Sequence, residues 1–414
     1  MTRTVFSGGL VFDGTGSDPA AADVLIDGDR IVEVGTGLDG DEVVDCAGMT
    51  LLPGLFDCHV HLMVSGVNPL RIAQTPFSYQ FYEAIGNLRA TLAAGITSVR
   101  DAGGADLGVQ EAVRHGLVPG PRTQIAISML SQTGGHGDSW LPSGCHIPLL
   151  VPHPGRPPTV VDGPEEVRRI VRELIRNGAN VIKVATSGGV LSPRDDPRHG
   201  HFRDDEVAVM VAEAAAAGIF VMAHAQAAEG IKTAVRNGVR SIEHGIYLDD
   251  EAIELMLDRG TWLVPTLVAP RAVLASAAGG VQFPDTVLAK ARMVLEVHTD
   301  SVRRAIAAGV RVAMGTDSGV GPHGNNLDEI RLMVECGMTP AQALHATTLS
   351  AAELLGVAGD LGTLQPGRIA DLVIVAGDAL EVDTLRSRIR AVYQNGREVV
   401  SDPTATVTSD ASTG

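Results

Sequence analysis

The sequence predicts an α/β protein: a (β/α)₈ TIM-type barrel carrying a small discontinuous β-sandwich domain built from both termini. Three observations predict it. A helix–Gly–strand step recurs through the middle of the chain, both flanks read as short strands around turns, and 414 residues are enough for both units.

The first flank, residues 1–53, holds β-like runs at Val24–Ile26, Arg30–Val34 and Glu42–Val44, broken by Asp-Gly pairs and without a helical period. Residues 364–401 repeat that texture, with Leu372–Val375 and Ala391–Tyr393 as apolar runs around turns. Two all-β ends around a βα middle predict one domain closed by both of them. Residues 402–414 are rich in Ser, Thr and Asp and are expected to form a disordered tail.

Residues 54–363 are expected to form the barrel. The clearest helix is predicted over 164–178, with Pro164 in the first turn and Val167, Ile170, Val171, Leu174 and Ile175 at helical spacing. Asn177-Gly178 stops it, and the strand Asn180–Ala185 follows. The same step recurs at Gly95 into Ile96–Val99, Gly218 into Ile219–His224 and Gly238 into Val239–His244. It returns at Gly260 into Thr261–Val264 and Gly309 into Val310–Gly315. Adding Leu55–His59 and Arg122–Ile127 gives eight strands, the number that closes a barrel. An open doubly wound sheet is the alternative, but no G-x-G-x-x-G follows the first strand.

Composition limits the partners. Aromatics are 3% of the chain against 45% hydrophobic residues, so the core must be mostly aliphatic, as in parallel sheets buried on both faces. A net charge of −17 argues against nucleic acid or an anionic membrane, which need a basic face. No run approaches the ~20 apolar residues of a membrane span, and the start has no apolar signal-peptide core. Cys46, Cys58, Cys145 and Cys336 are scattered, as expected for reduced, mostly buried thiols in a cytoplasmic protein.

In such a barrel, chemistry is placed at the C-terminal ends of the strands. Reading only those ends collects His59 and His61 from the first, Lys183 from the fourth, His224 from the fifth, His244 from the sixth and Asp317 after the eighth. Residues two apart on a strand face the same way, so His59 and His61 can meet one metal ion. A lone H-x-H is weak evidence; four His and an Asp at strand ends of one barrel are hard to explain by packing.

At this point the chain resembles the amidohydrolase superfamily, through Pro53–His61, Ile182-Lys183-Val184, Ala223-His224-Ala225, Glu243-His244-Gly245, Gly315–Ser318 and Leu364–Val373. The resemblance implies a metal-dependent hydrolase of C–N bonds. His59 and His61 would bind one divalent metal, His224 and His244 a second, and Asp317 would ligate the first, with Zn²⁺ the expected metal. Lys183 would bridge the two as an N-carboxylated lysine, since an ammonium cannot ligate whereas a carbamate offers two oxygens. Metal binding pulls water's pKa from ~15.7 toward ~7, giving a bridging hydroxide. Asp317 would take its proton and deliver it to the leaving amine. A mononuclear deaminase or cyclic amidase is the rival within the fold. Its relatives place a Glu close after the fifth-strand His, whereas here Ala225–Ala228 intervene before Glu229. A non-catalytic scaffold is disfavoured because every expected ligand is present.

The longest irregular stretches, 129–163 and 187–203, are expected over the mouth of the site, where specificity is set. His136, between glycines in the first, and Tyr247 and His323, just past ligand-bearing strand ends, are candidate substrate contacts. The details look most similar to the prolidase-like and Xaa-Arg/Lys carboxypeptidase-like subgroup, in which residues like His136 and Tyr247 hold a substrate carboxylate. That implies a dipeptide or N-acyl amino acid as substrate, with urea, carbamate or N-acyl xenobiotics as the alternative. A homo-oligomer is also expected. His115, His146, His153, His199, His201, His298 and His345 receive no role.

Overall fold

Buried on almost every residue, the parallel strands at the centre of this computed structural model carry the aliphatic runs that the composition demanded. The structure describes residues 3–141, 143–192 and 194–401; the expected tail, 402–414, lies outside them. The strands fall into two sheets. One orders Arg122–Ile125, Ile96–Asp101 and Leu55–Val60; the other orders Met129–Leu130, Val181–Ala185, Phe220–Ala225, Ser241–His244 and Trp262–Val264.

Two of the predicted strands differ from expectation. The third breaks at Ile127, whose φ is +68°, and resumes as Met129–Leu130 beside Lys183 and Val184. The eighth forms no regular strand, and just beyond it Asp317 leaves the extended region at φ +59°. This segment makes isolated parallel bridges instead, Val312 to Leu263 and Ser318 to Val60, and so hydrogen-bonds to an outer strand of each sheet. The two sheets do not merge into one.

Each helix–Gly–strand step has a common cause. Gly95, Gly178, Gly218, Gly238, Gly260 and Gly309 all adopt φ between +63° and +95°, the left-handed turn that ends a helix at no Cβ cost. The predicted helix is observed as Pro164–Arg176, burying Val167, Ile170, Val171 and Leu174. Each such side chain contributes about 1.5–3 kcal/mol on burial.

The flanks form two further sheets. Arg30–Gly35, Asp23–Asp27, Arg3–Ser7 and Glu42–Asp45 make the first. The second joins strands from both ends of the chain, since Leu372–Ala376 pairs antiparallel with Met49–Pro53. Phe6, Val24, Ile26, Leu51, Leu372, Ile374 and Tyr393 pack the two together as one apolar cluster. All four cysteines are free, and Cys145 alone is exposed. Among the described residues no helix is long and apolar enough to cross a membrane.

Candidate metal centre

His59, His61, Lys183, His224, His244 and Asp317 all line one cavity of about 1400 Å³. His59 ends its strand with Nδ1 2.7 Å from the Glu243 carboxylate, and His61 Nδ1 lies 2.7 Å from the Gly103 carbonyl. Those acceptors fix Nδ1–H on both rings and turn Nε2 toward Asp317. Both Nε2 atoms approach Asp317 Oδ1, at 3.4 Å from His59 and 3.1 Å from His61. Lys183 Nζ is 3.4 Å from His59 Nε2. His224 is held in the opposite sense: its Nε2 meets the Gly188 carbonyl at 3.1 Å, leaving Nδ1 as the lone-pair nitrogen.

Backbone strain places two of these groups. In a regular strand Glu243 and His244 would face opposite sides. His244 has φ +73°, which turns it out of the strand so that its ring lies 5.1 Å from His59 while Glu243 also reaches that ring. Such residues cost about 1–3 kcal/mol and persist only where the surroundings hold them. Here His298 Nε2 binds the His244 carbonyl at 2.9 Å, and Thr266 Oγ1 meets His244 Nδ1 at 2.7 Å. Thr266 is itself at φ +51°, and the next two amides, Leu267 and Val268, donate to buried Glu329. Asp317 is braced by its own N–H to the His59 carbonyl at 2.7 Å. Beside it, Asp57 accepts from the His59 and Thr316 amides, the Thr316 hydroxyl and Asn326.

The electrostatics suit cation binding. Burial lowers His59, His224 and His244 well below the usual imidazole range, so they are neutral. Burial opposes ionisation of Asp317, but His59 and His61 outweigh it and hold its carboxyl well below the usual carboxylate range. His61 is raised: burial lowers it, yet the Asp317 hydrogen bond and charge prevail. Burial lowers Lys183 to about 8. One donor atom each from His59, His244 and Asp317 lie within 4.8 Å of one another. Neutral imidazoles and a carboxylate are the donors that divalent zinc-like ions take.

Of the candidate substrate contacts, His136 lines the cavity and stacks on His224, with ring centroids 4.2 Å apart at 18°. Tyr247 and His323 do not line it. Tyr247 packs with Ile246 and Val273, and His323 bridges Thr91 and the Val64 carbonyl. Glu229, the nearest acid after His224, is exposed and ion-paired with Lys232. His146 and His298, given no role from sequence, do line the cavity. Sequence reading also missed Arg100, which binds the Cys58 carbonyl, Ser241 and Glu243, and Asp101, which caps the Leu62, Gly103 and Ala105 amides. The available signal was a charge inside an apolar strand run.

Known proteins resemble this chain in sequence and fold. The sequence model of the amidohydrolase family matches residues 50–404. Ochratoxinase of Aspergillus niger is 36% identical over 91% of this chain and 82% of its own. A prolidase solved with N-methylphosphonate-L-proline has a TM-score of 0.88 at 39% identity, covering 97% of this chain and 100% of its own. A Xaa-Pro dipeptidase solved with methionine in its active site has a TM-score of 0.87 at 33% identity, covering 96% and 99%. With the cavity and its donors in place, these matches mean that the chain belongs to the amidohydrolase family, metal-dependent hydrolases acting on C–N bonds.

Proposed function

We propose that the chain hydrolyses N-acyl amino acids with a bulky apolar acyl group, using two divalent ions, Zn²⁺ by preference. The reading places the site in a (β/α)₈ barrel over residues 54–363, with residues 1–53 and 364–401 as one β-domain. The observation that carries it is the cavity. Its polar end gathers the six candidate ligands and His136, while Leu149, Leu150, Val190, Ile246, Val273 and Phe283 line it elsewhere. At about 1400 Å³ it exceeds the ~300–1,000 Å³ of ordinary small-molecule pockets and leaves room for more than a dipeptide. Two of the similar structures hold an amino acid or its derivative, which favours a substrate carboxylate.

His59, His61 and Asp317 would hold one ion and His224 and His244 the other, with carboxylated Lys183 between them. Lowering of Lys183 to about 8 supports that modification, because CO₂ reacts only with the neutral amine. The ions would supply water acidity and polarise the scissile carbonyl. Asp317 takes the water's proton on its carboxylate and returns it to the leaving nitrogen. His136 is held through Nδ1 by Ser192, at 2.7 Å, and presents Nε2 to the substrate carboxylate. The apolar wall receives the acyl group and excludes water.

A screen of N-acyl amino acids against their C-terminal amides tests the reading. Acids should be preferred, and His136→Ala should raise KM for the acid about 10- to 100-fold more than for the amide, as expected on losing a ~1.5–3 kcal/mol charged hydrogen bond. Faster turnover of neutral amides, ureas or carbamates would move the substrate to that class.

A further inference from the structure

The 187–203 loop supplies no candidate ligand, yet it touches two of the functional histidines. Gly188 O meets His224 Nε2, and Gly189 lies against the His136 ring, where a Cβ would come within 2.3–2.7 Å of ring atoms. Ser192 Oγ accepts His136 Nδ1–H at 2.7 Å and passes its own hydrogen to Asp195 Oδ1. Asp195 Oδ2 is 3.6 Å from the same imidazole nitrogen.

The loop is fastened from a distance. Lys290, on the helix Asp285–Ala308, donates to Gly189 O at 2.6 Å, to Ser192 O and to Asp195 O at 2.9 Å. It also pairs with Asp195 Oδ1 at 3.0 Å. The Asp195 and Lys290 side chains are 3% and 11% exposed, so this pair is shielded from water, and removing either partner leaves the other charge buried and uncompensated. Burial alone would push the Asp195 carboxyl up; the neighbouring His136 imidazole, the Ser192 hydrogen bond and the Lys290 charge hold it below the usual range, as a carboxylate. An ammonium has three hydrogens, and every one is met by an oxygen of this loop.

We propose that Lys290 and Asp195 are positioning residues that clasp the 187–203 loop and so aim His136 at the substrate carboxylate. The clasp sets acid-over-amide specificity without touching substrate or metal, and it rests on the carboxylate role proposed for His136. It also ties specificity to the Asp285–Ala308 helix, whose Val287 and Val294 line the apolar part of the cavity.

The test uses metal-loaded full-length protein and the N-acyl amino acid that wild type hydrolyses fastest, with its C-terminal amide. Lys290→Met and Asp195→Asn should each lower the acid-to-amide ratio of kcat/KM about tenfold, through KM for the acid, with kcat and metal content retained. Lys290→Arg should recover part of the ratio, and adding Lys290→Met to His136→Ala should cost little more, since both act on one contact. A wild-type ratio in Lys290→Met and Asp195→Asn, whatever their stability or metal content, overturns the clasp if His136→Ala abolishes the ratio. If His136→Ala also leaves the ratio intact, or no N-acyl amino acid is hydrolysed, the functional reading itself fails and the clasp with it.

Discussion

In the proposed mechanism Asp317 is the residue on which proton movement and ligand geometry converge. Its Oδ1 lies between His59 and His61, and its left-handed backbone fixes it there. Asp317→Asn keeps the shape and one ligating oxygen but cannot accept a proton. Steady-state kinetics should show kcat lowered by about 10²–10⁴-fold with the fold intact; near-normal kcat would assign proton transfer elsewhere. Glu329 acts through its protonation in a different way. Burial pushes its carboxyl from 4.5 up to about 8 while two amides still donate to it. The native state therefore keeps a proton that the unfolded chain releases above its ordinary value. The stability this confers is complete below about 4.5 and is lost as pH rises through about 8. Thermal melts should show wild type losing stability across that window, and Glu329→Gln, which cannot ionise, losing less. Parallel pH profiles for the two would contradict the assignment. The candidate ligands were legible in sequence because each lies within or just after an apolar strand-like run. Asp195 and Lys290 were not, because one reads as a loop acid and the other as an ordinary helix lysine, and 101 residues separate Lys290 from Gly189.

The elements were legible where one local rule decides them. The helix Pro164–Arg176 needs only its apolar stripe, its proline start and its glycine stop. The final extended segment was harder to read, since Val310–Gly315 has strand composition but Asp317 must leave the extended region to reach His61. That break is a demand of the site, invisible to periodicity. The helix-ending glycines give a clean test. Gly309 is at φ +90° with nothing within 4 Å of a notional Cβ, so alanine there meets only conformational strain. Gly309→Ala should cost about 1–2 kcal/mol of unfolding free energy while leaving kcat/KM unchanged. No loss of stability would mean that the turn relaxes freely.

Across the molecule, the two ends of the chain support the catalytic core directly. Asp371, inside the Leu364–Val373 stretch that carried part of the family resemblance, accepts from Arg122 and from the Asn395 amide, and its carbonyl receives Gly54 N–H at 2.8 Å. The entry to the His59 strand is thus tied to the C-terminal sheet. Size and shape of the cavity were not legible, because its apolar wall is assembled from loops and helices far apart in the sequence. In the proposed function, paired divalent ions held by His59, His61, Lys183, His224, His244 and Asp317 would drive amide hydrolysis. Chelated protein, titrated with Zn²⁺ in bicarbonate, tests it when turnover of an N-acyl amino acid is followed against metal bound. Activity should be absent at the start and reach its plateau at about two equivalents per chain; full activity at one equivalent, or in the stripped protein, would contradict it.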